Sequence, residues 1–171
     1  KIAPALAFGN SVIFKPANLV PASAWALTEI IARQTALPAG TFNLVMGSGG
    51  GVGNPLINSN RIHAVSFTGS LPVGRQVAAA TAANLVKCQL EMGSKNALIV
   101  AADADLDVAV NAAFVGAYSG TGQKCTASSR LIVDSSIHDA FVEKLIAKLE
   151  ATTVGPALED GVDIGPVVSK Q

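Results

Sequence analysis

The chain has 171 residues, half of them hydrophobic and only 14% charged, with twelve basic and twelve acidic side chains. Zero net charge argues against a nucleic-acid partner or an anionic membrane surface, and no apolar run nears the roughly 18 residues of a membrane span. Charge well below the usual quarter or so of a domain implies a surface that packs against further protein, and the ends, Lys1-Ile2-Ala3-Pro4 and Gly165–Gln171, read as cuts from a longer chain.

In chain order, Ser11–Pro16 reads as a short buried strand stopped by proline. Pro21 opens a helix whose core face carries Ala24, Leu27, Ile30 and Ile31, and which ends near Pro38-Ala39-Gly40. Thr41–Met46 is a second strand, and the glycine-rich run Gly47–Gly53 leads into a short helix through Leu56 and Ile57. His63–Phe67 is a third strand, ended by Thr68-Gly69-Ser70 ahead of a helix over 73–83. Leu85–Met92 and Asn96–Val100 are strands four and five. Asp103 and Asp105 load acid at the start of a helix through Val115, which the macrodipole favours. Gly116, Gly120 and Gly122 loosen the backbone before Cys125. Arg130–Val133 is the sixth strand, and Ser135 or Ser136 is expected to cap a final amphipathic helix bearing Phe141, Val142, Leu145, Ile146 and Leu149. A polar tail follows. Strand–helix alternation predicts an α/β fold with βαβ units and a mostly parallel sheet. Two successive strands without a helix between them put a domain boundary near Gly93-Ser94, giving domains 1–93 and 94–171.

The residues that carry chemistry are few. The run Gly47–Gly53 has the composition of a phosphate turn but fails the GxGxxG spacing, because Val52 stands where the third glycine belongs. Phe67-Thr68-Gly69-Ser70 offers small residues and a hydroxyl at a helix start, as a phosphate turn or as a plain capped turn. Lys15, at the C-terminal end of a strand, either faces the ligand crevice of an open α/β sheet or is solvated. Cys125 lies in a polar, glycine-bearing loop where Lys124 and helix N–H groups would favour a thiolate. Cys88, inside a strand, reads as structural. Glu91 ends an apolar strand and is a carboxylate suited to a crevice, or one satisfied by backbone N–H groups. His63 and His138 sit outside any polar glycine loop, which weakens a Cys–His pair. Two cysteines make no disulfide framework, and no cluster offers a metal site; the thiols read as reduced, hence cytoplasmic.

These motifs together resemble the aldehyde dehydrogenase superfamily. The glutamate signature reads here as Leu90-Glu91-Met92-Gly93-Ser94-Lys95-Asn96, and the cysteine signature as Gly122-Gln123-Lys124-Cys125 with Arg130. Lys15-Pro16 and Phe67–Ser70 match its cofactor motifs. The wording is most similar to the 2-oxoglutarate semialdehyde dehydrogenase group. The resemblance implies the aldehyde dehydrogenase fold in part: a Rossmann-like parallel-sheet cofactor domain running into the start of a second α/β catalytic domain. It implies Cys125 as nucleophile, its backbone N–H in the oxyanion hole, and Glu91 as the base that hydrolyses the thioester. It also implies Lys15 at the adenosine ribose or its 2′-phosphate, Gly49 and Gly53 by the adenine, Ser70 after Gly69 by the pyrophosphate, and Thr68 and Gly93 at the nicotinamide end. Asn18 stands where many NAD-preferring members carry Glu, so NADP is accepted as well as NAD, and Ser94 replaces the family's second glycine. A homodimer or homotetramer is implied for the full-length protein. The family's oxyanion asparagine and other site residues lie outside these 171 residues, so the isolated chain is expected to have little activity. Two other readings compete: a nucleotide-binding or interaction module without catalysis, and a thiol hydrolase pairing Cys125 with a histidine.

Overall fold

Strands and helices alternate, except where β4 is followed directly by β5, in the computed structural model, which describes residues 1–169; Lys170 and Gln171, the last of the expected polar tail, lie outside the described residues. The chain divides into two units, Lys1–Glu91 and Met92–Gln171. The first contains α1 (Ile2–Ala7), β1 (Val12–Phe14), α2 (Pro21–Gln34), β2 (Phe42–Leu44), a π-helical turn (Gly49–Gly53) running into α3 (Asn54–Ile57), β3 (Ala64–Gly69), α4 (Leu71–Ala83) and β4 (Lys87–Met92), whose last residue begins the second unit. The second continues with β5 (Asn96–Val100), α5 (Leu106–Tyr118), a 3₁₀ turn (Ser119–Gly122), β6 (Ser128–Val133) and α6 (His138–Glu150).

The described strands form three two-stranded sheets. β1 and β2 are parallel, with Val12 opposite Phe42 and Phe14 opposite Leu44, and the Phe14 and Phe42 rings stack at 6.2 Å. β3 pairs with β4. β5 and β6 are parallel, with Leu98 opposite Leu131 and Val100 opposite Val133. Pro21 occupies the first turn of α2, where its missing N–H costs nothing. Asp105 caps α5 by accepting from the N–H groups of Asp107 and Val108 at 2.9 and 3.1 Å, so the acid at this helix start satisfies two orphan donors.

The start of α6 departs from expectation. Its N-cap is Ile137, with no side-chain cap bond, and Ser136 is drawn instead into a turn closed by Asp134. The Asp134 Oδ1 accepts from Ser136 Oγ at 2.6 Å and from Ser136 N–H at 2.9 Å. This aspartate turn competes directly with a serine cap. Those two bonds, the hydroxyl's foremost, hold the Asp134 carboxyl below its ordinary value. α1 is an element the periodicity does not announce; Pro4 sits in its first turn.

The second unit has the better-formed core. Val100, Val110, Ala113, Phe141 and Leu145 are buried together, with Leu98, Leu131 and Val133 of the sheet packed against them. Lys144 Nζ donates to Asp107 Oδ1 at 2.6 Å, tying α6 to α5, and this contact raises the Lys144 pKa. Phe141 is only 1% exposed. Phe141→Ala is expected to destabilise the folded chain by about 3–5 kcal/mol, the cost of lost burial plus an unfilled cavity. Urea unfolding followed by circular dichroism checks this, and a loss under about 1 kcal/mol would mean that the site collapses around the smaller side chain.

The first unit is more open. Ala24 of α2 is buried, but Leu27 and Ile30, assigned by periodicity to the same core face, are 41% and 58% exposed. Two three-residue strands offer too little sheet to cover so wide an apolar stripe. Among the described residues no helix is long and apolar enough to cross a membrane.

Candidate active site

Because β1 and β2 run parallel, their C-terminal ends emerge side by side, and Lys15 and Gly47 meet there. Lys15 Nζ donates to the carbonyls of Pro16 at 2.7 Å and Gly47 at 3.1 Å, and lies 3.5 Å from Asn18 Oδ1. Gly53 approaches the same lysine: a Cβ built there would lie 3.8 Å from its Cδ. Lys15 and Asn18, three residues apart, are therefore brought into one cluster with the sequence-distant Gly53. A cavity of about 310 Å³ opens beside it, lined by Pro16, Asn18, Met46, Gly47 and Ser48 among others. The run Gly47–Gly53 is not a phosphate turn of the usual dinucleotide kind. Its last five residues, Gly49–Gly53, form a π-helical turn whose start is capped by Ser48 Oγ, accepting from Gly51 N–H at 2.9 Å. Such turns recur at functional sites. Gly47 is obligatory: its φ is +148°, and a Cβ would strike Val52 Cγ2 at 2.5 Å. At Gly49 a Cβ would meet nothing within 4 Å.

The turn after β3 holds the second group. At Gly69 a Cβ would lie 2.5 Å from Phe67 Cζ, so a side chain there would require the phenyl ring to move. Thr68 Oγ1 accepts from Lys1 Nζ at 2.6 Å, and the Phe67 carbonyl accepts from the same ammonium at 2.7 Å. Ser70 is the N-cap residue of α4, but its side chain makes no capping bond, so the plain capped-turn reading is not what forms. Glu91 is exposed near the end of β4. It is held by a side chain rather than by backbone N–H groups: Gln89 Nε2 donates to Glu91 Oε1 at 3.2 Å, and Ser66 Oγ donates to Gln89 Oε1 at 2.9 Å. Gly93 follows in the loop before β5, with nothing within 4 Å of a built Cβ.

The cysteine loop belongs to the second unit. Gly120, Thr121 and Gly122 all have positive φ, at 60°, 62° and 66°. This reversal ends α5 and brings the chain to β6 through an exposed Cys125. A Cβ at Gly122 would meet the Ala117 carbonyl oxygen at 2.5 Å. The loop is pinned at both sides of the cysteine. Asn96 Nδ2 donates to the Cys125 carbonyl at 2.8 Å and to the Ala127 carbonyl at 3.2 Å. Arg130 donates through Nε and Nη2 to the Lys95 carbonyl at 3.0 and 2.8 Å. Lys124 lays its aliphatic stem against Gly120.

Cys88, read as structural, is free and exposed on β4, in the two-stranded sheet that β4 forms with β3. His63 is exposed just before β3. His138 opens α6 with Nδ1 2.8 Å from Asp139 Oδ1. Asn96, Gln89, Ser66 and Lys1, which hydrogen-bond the candidate residues or their neighbours, were not singled out from the sequence. Of these only Asn96 carried a sequence signal, as part of the glutamate signature.

A family model described as the aldehyde dehydrogenase family matches residues 1–171. The chain belongs to the aldehyde dehydrogenase family. Its fold is that family's, in part. Alpha-ketoglutaric semialdehyde dehydrogenase of Bacillus subtilis is 47% identical over 172 residues, covering 99% of this chain and 35% of that protein. Among solved structures of similar proteins, an NADP-dependent enzyme of Escherichia coli is 42% identical with a TM-score of 0.94, covering 98% of this chain and 35% of that one. Betaine aldehyde dehydrogenase of Staphylococcus aureus in complex with NAD+ is 36% identical with a TM-score of 0.96, covering 99% and 34%. This aldehyde dehydrogenase segment thus spans about a third of the length of the relatives it matches.

Proposed function

We propose that this chain carries the adenosine-side cofactor site, the base and the nucleophile of an NAD(P)-dependent aldehyde dehydrogenase, which converts an aldehyde, of the semialdehyde class such as 2-oxoglutarate semialdehyde, to its carboxylate. In this reading residues 1–93 are part of the cofactor domain and 94–171 part of the cysteine-bearing domain. The observation that carries it is the cysteine loop. A left-handed reversal presents Cys125 while Asn96 clamps its carbonyl, an arrangement suited to a nucleophile and hard to explain in a passive binding module. The similarity to a semialdehyde dehydrogenase supports the substrate class.

Residues at the strand ends fit a nicotinamide dinucleotide. The Lys15 ammonium, Asn18 and Gly53 would hold the adenosine ribose beside the 310 Å³ cavity, with Gly49 nearby. Ser70, with its uncommitted hydroxyl after the bare Gly69 backbone, would meet the pyrophosphate, and Thr68 and Gly93 the nicotinamide end. When bound, that cofactor supplies the hydride acceptor. The protein's own work begins at Cys125. Its thiolate attacks the aldehyde carbon, and the resulting oxyanion of the thiohemiacetal takes a hydrogen bond from the Cys125 N–H. The carbonyl of that residue is held by Asn96, which fixes the peptide that follows Cys125 and so restrains the loop around the nucleophile before substrate arrives. After oxidation a thioester remains on Cys125. Glu91 then takes a proton from water as it attacks the thioester carbon, and the thiolate leaves. A carboxylate in this role gives a free acid product. Two free, exposed thiols fit a reducing compartment, the cytoplasm, and the working form is taken to be a homodimer or homotetramer.

The direct test is cofactor reduction, followed by absorbance, in the full-length protein supplied with 2-oxoglutarate semialdehyde and either NAD or NADP. Turnover supports the reading; silence with this and other aldehydes would sink it. The Asn18 amide neither grips ribose hydroxyls strongly nor repels a 2′-phosphate. Asn18→Glu is therefore expected to lower the NADP-to-NAD ratio of kcat/KM by about tenfold or more, as a carboxylate placed beside the 2′-phosphate would. An unchanged ratio would mean that this position does not face the ribose.

A further inference from the structure

The chain Ser66–Gln89–Glu91 has no counterpart in the chemistry set out above. Gln89 and Glu91 lie two apart on β4 and so share one face of the strand. Ser66 of β3 stands on that face too, because its hydroxyl reaches the Gln89 side chain at 2.9 Å. All three residues are exposed, whereas Val65, Phe67, Leu90 and Met92, which alternate with them, are partly buried. The direction of the bonds matters. A carboxylate only accepts, so the Glu91 contact must use the Gln89 amide nitrogen, and the Gln89 carbonyl oxygen is then left to accept from Ser66. The carboxylate thereby fixes the amide's orientation, since a flipped glutamine would place its carbonyl oxygen against Glu91, and the Ser66 hydroxyl anchors the far side of the amide.

We propose that Gln89 is a positioning residue for Glu91, itself anchored by Ser66, and that it acts on the hydrolytic half of the reaction. This rests on the reading of Glu91 as the base. A glutamate has three rotatable side-chain bonds and, at an exposed strand position, samples many rotamers. One bond from Gln89 to Oε1 restricts that freedom and leaves Oε2 to meet water. The donor also opposes proton capture only while Oε1 is its acceptor, so the pair selects which oxygen takes the proton. Attack by Cys125 and loss of hydride use neither oxygen, so they are indifferent to Gln89.

The experiment uses the full-length protein with 2-oxoglutarate semialdehyde and NADP. Acid-quenched single turnovers report the rise and decay of acyl-enzyme separately. Gln89→Met, which keeps the bulk and removes the amide, is expected to slow the decay about three- to tenfold, the range for a typical solvent-exposed hydrogen bond, and to leave the rise unchanged. Ser66→Ala, which leaves β4 untouched, should slow the decay in the same direction but by less. Equal slowing of rise and decay in both variants would show a general structural defect and overturn the proposal, as would an unchanged decay in Gln89→Met. Glu91→Gln run in parallel separates the two levels. If that variant decays slowly while Gln89→Met decays normally, only the positioning role is lost; if Glu91→Gln itself decays at the normal rate, the base reading falls and the positioning role with it.

Discussion

Cys125→Ala is expected to abolish aldehyde oxidation in the full-length protein, lowering kcat by about 10⁴-fold or more, as removal of a covalent nucleophile does elsewhere. The substitution takes away one sulfur from an exposed loop and leaves intact what shapes that loop. The Asn96 bonds end on main-chain carbonyls, and the left-handed reversal ends at Gly122. Folding and cofactor affinity should therefore be unchanged, and a fluorescence titration with NADPH separates lost chemistry from lost binding. Survival of turnover would eliminate the thiolate mechanism. A companion measurement uses iodoacetamide and peptide mapping. Cys88 and Cys125 are both exposed, so access alone cannot favour one over the other. Faster alkylation at Cys125 would report its chemistry, and equal rates would favour a binding module.

Glu91→Gln is the second large effect. The thioester should still form, since the amide takes no part in the attack on the carbonyl, but its hydrolysis should slow by about 10²–10⁴-fold, the usual worth of a general base. Intact-mass spectrometry after mixing with aldehyde and NADP should show the acyl adduct persisting on Cys125. The amide also disturbs its neighbour: Gln89 Nε2 now donates to a carboxylate oxygen, and a glutamine at 91 can present either an oxygen or an NH₂ there. Absence of any accumulated adduct, with turnover intact, would assign the base to another group.

Sequence reasoning succeeded where one residue type answers to one local rule. Pro21 in the first turn of α2, Asp105 capping α5 and the glycines ahead of Cys125 each act through their own backbone, and each sits where it was expected. It failed where two local rules competed. Asp134 and Ser136 both suit a turn or a cap, and the aspartate captured the serine, leaving Ile137 at the helix start. It failed again where coverage depended on sheet width, as for Leu27 and Ile30. Among the candidate residues, Cys125 and Glu91 stood out because their side chains contrast with their surroundings, and both are exposed. Gln89 did not, because its meaning lies in Ser66, a partner on another strand, and cross-strand register cannot be read from either strand alone. Asn96 had the same difficulty: its amide serves carbonyls at 125 and 127, which no spacing rule connects to it.

The stretch Gly120-Thr121-Gly122 sets limits of its own on how this segment tolerates change. A β-branched residue at a φ of 62° is held against its preference, while the glycine that follows has the Ala117 carbonyl where a side chain would go. In a library that varies every position, replacements at 120 and 122 would drop out for reasons of backbone shape, before any effect on reactivity could be scored. At 121 the reverse holds: glycine or asparagine would relax the backbone. The residue next to the most constrained point of the loop is thus also the one where substitution has stability to gain, and its present threonine, whose hydroxyl bonds the Gly120 carbonyl at 2.6 Å and Gln123 Oε1 at 3.0 Å, trades that gain for a stiffer approach to Cys125.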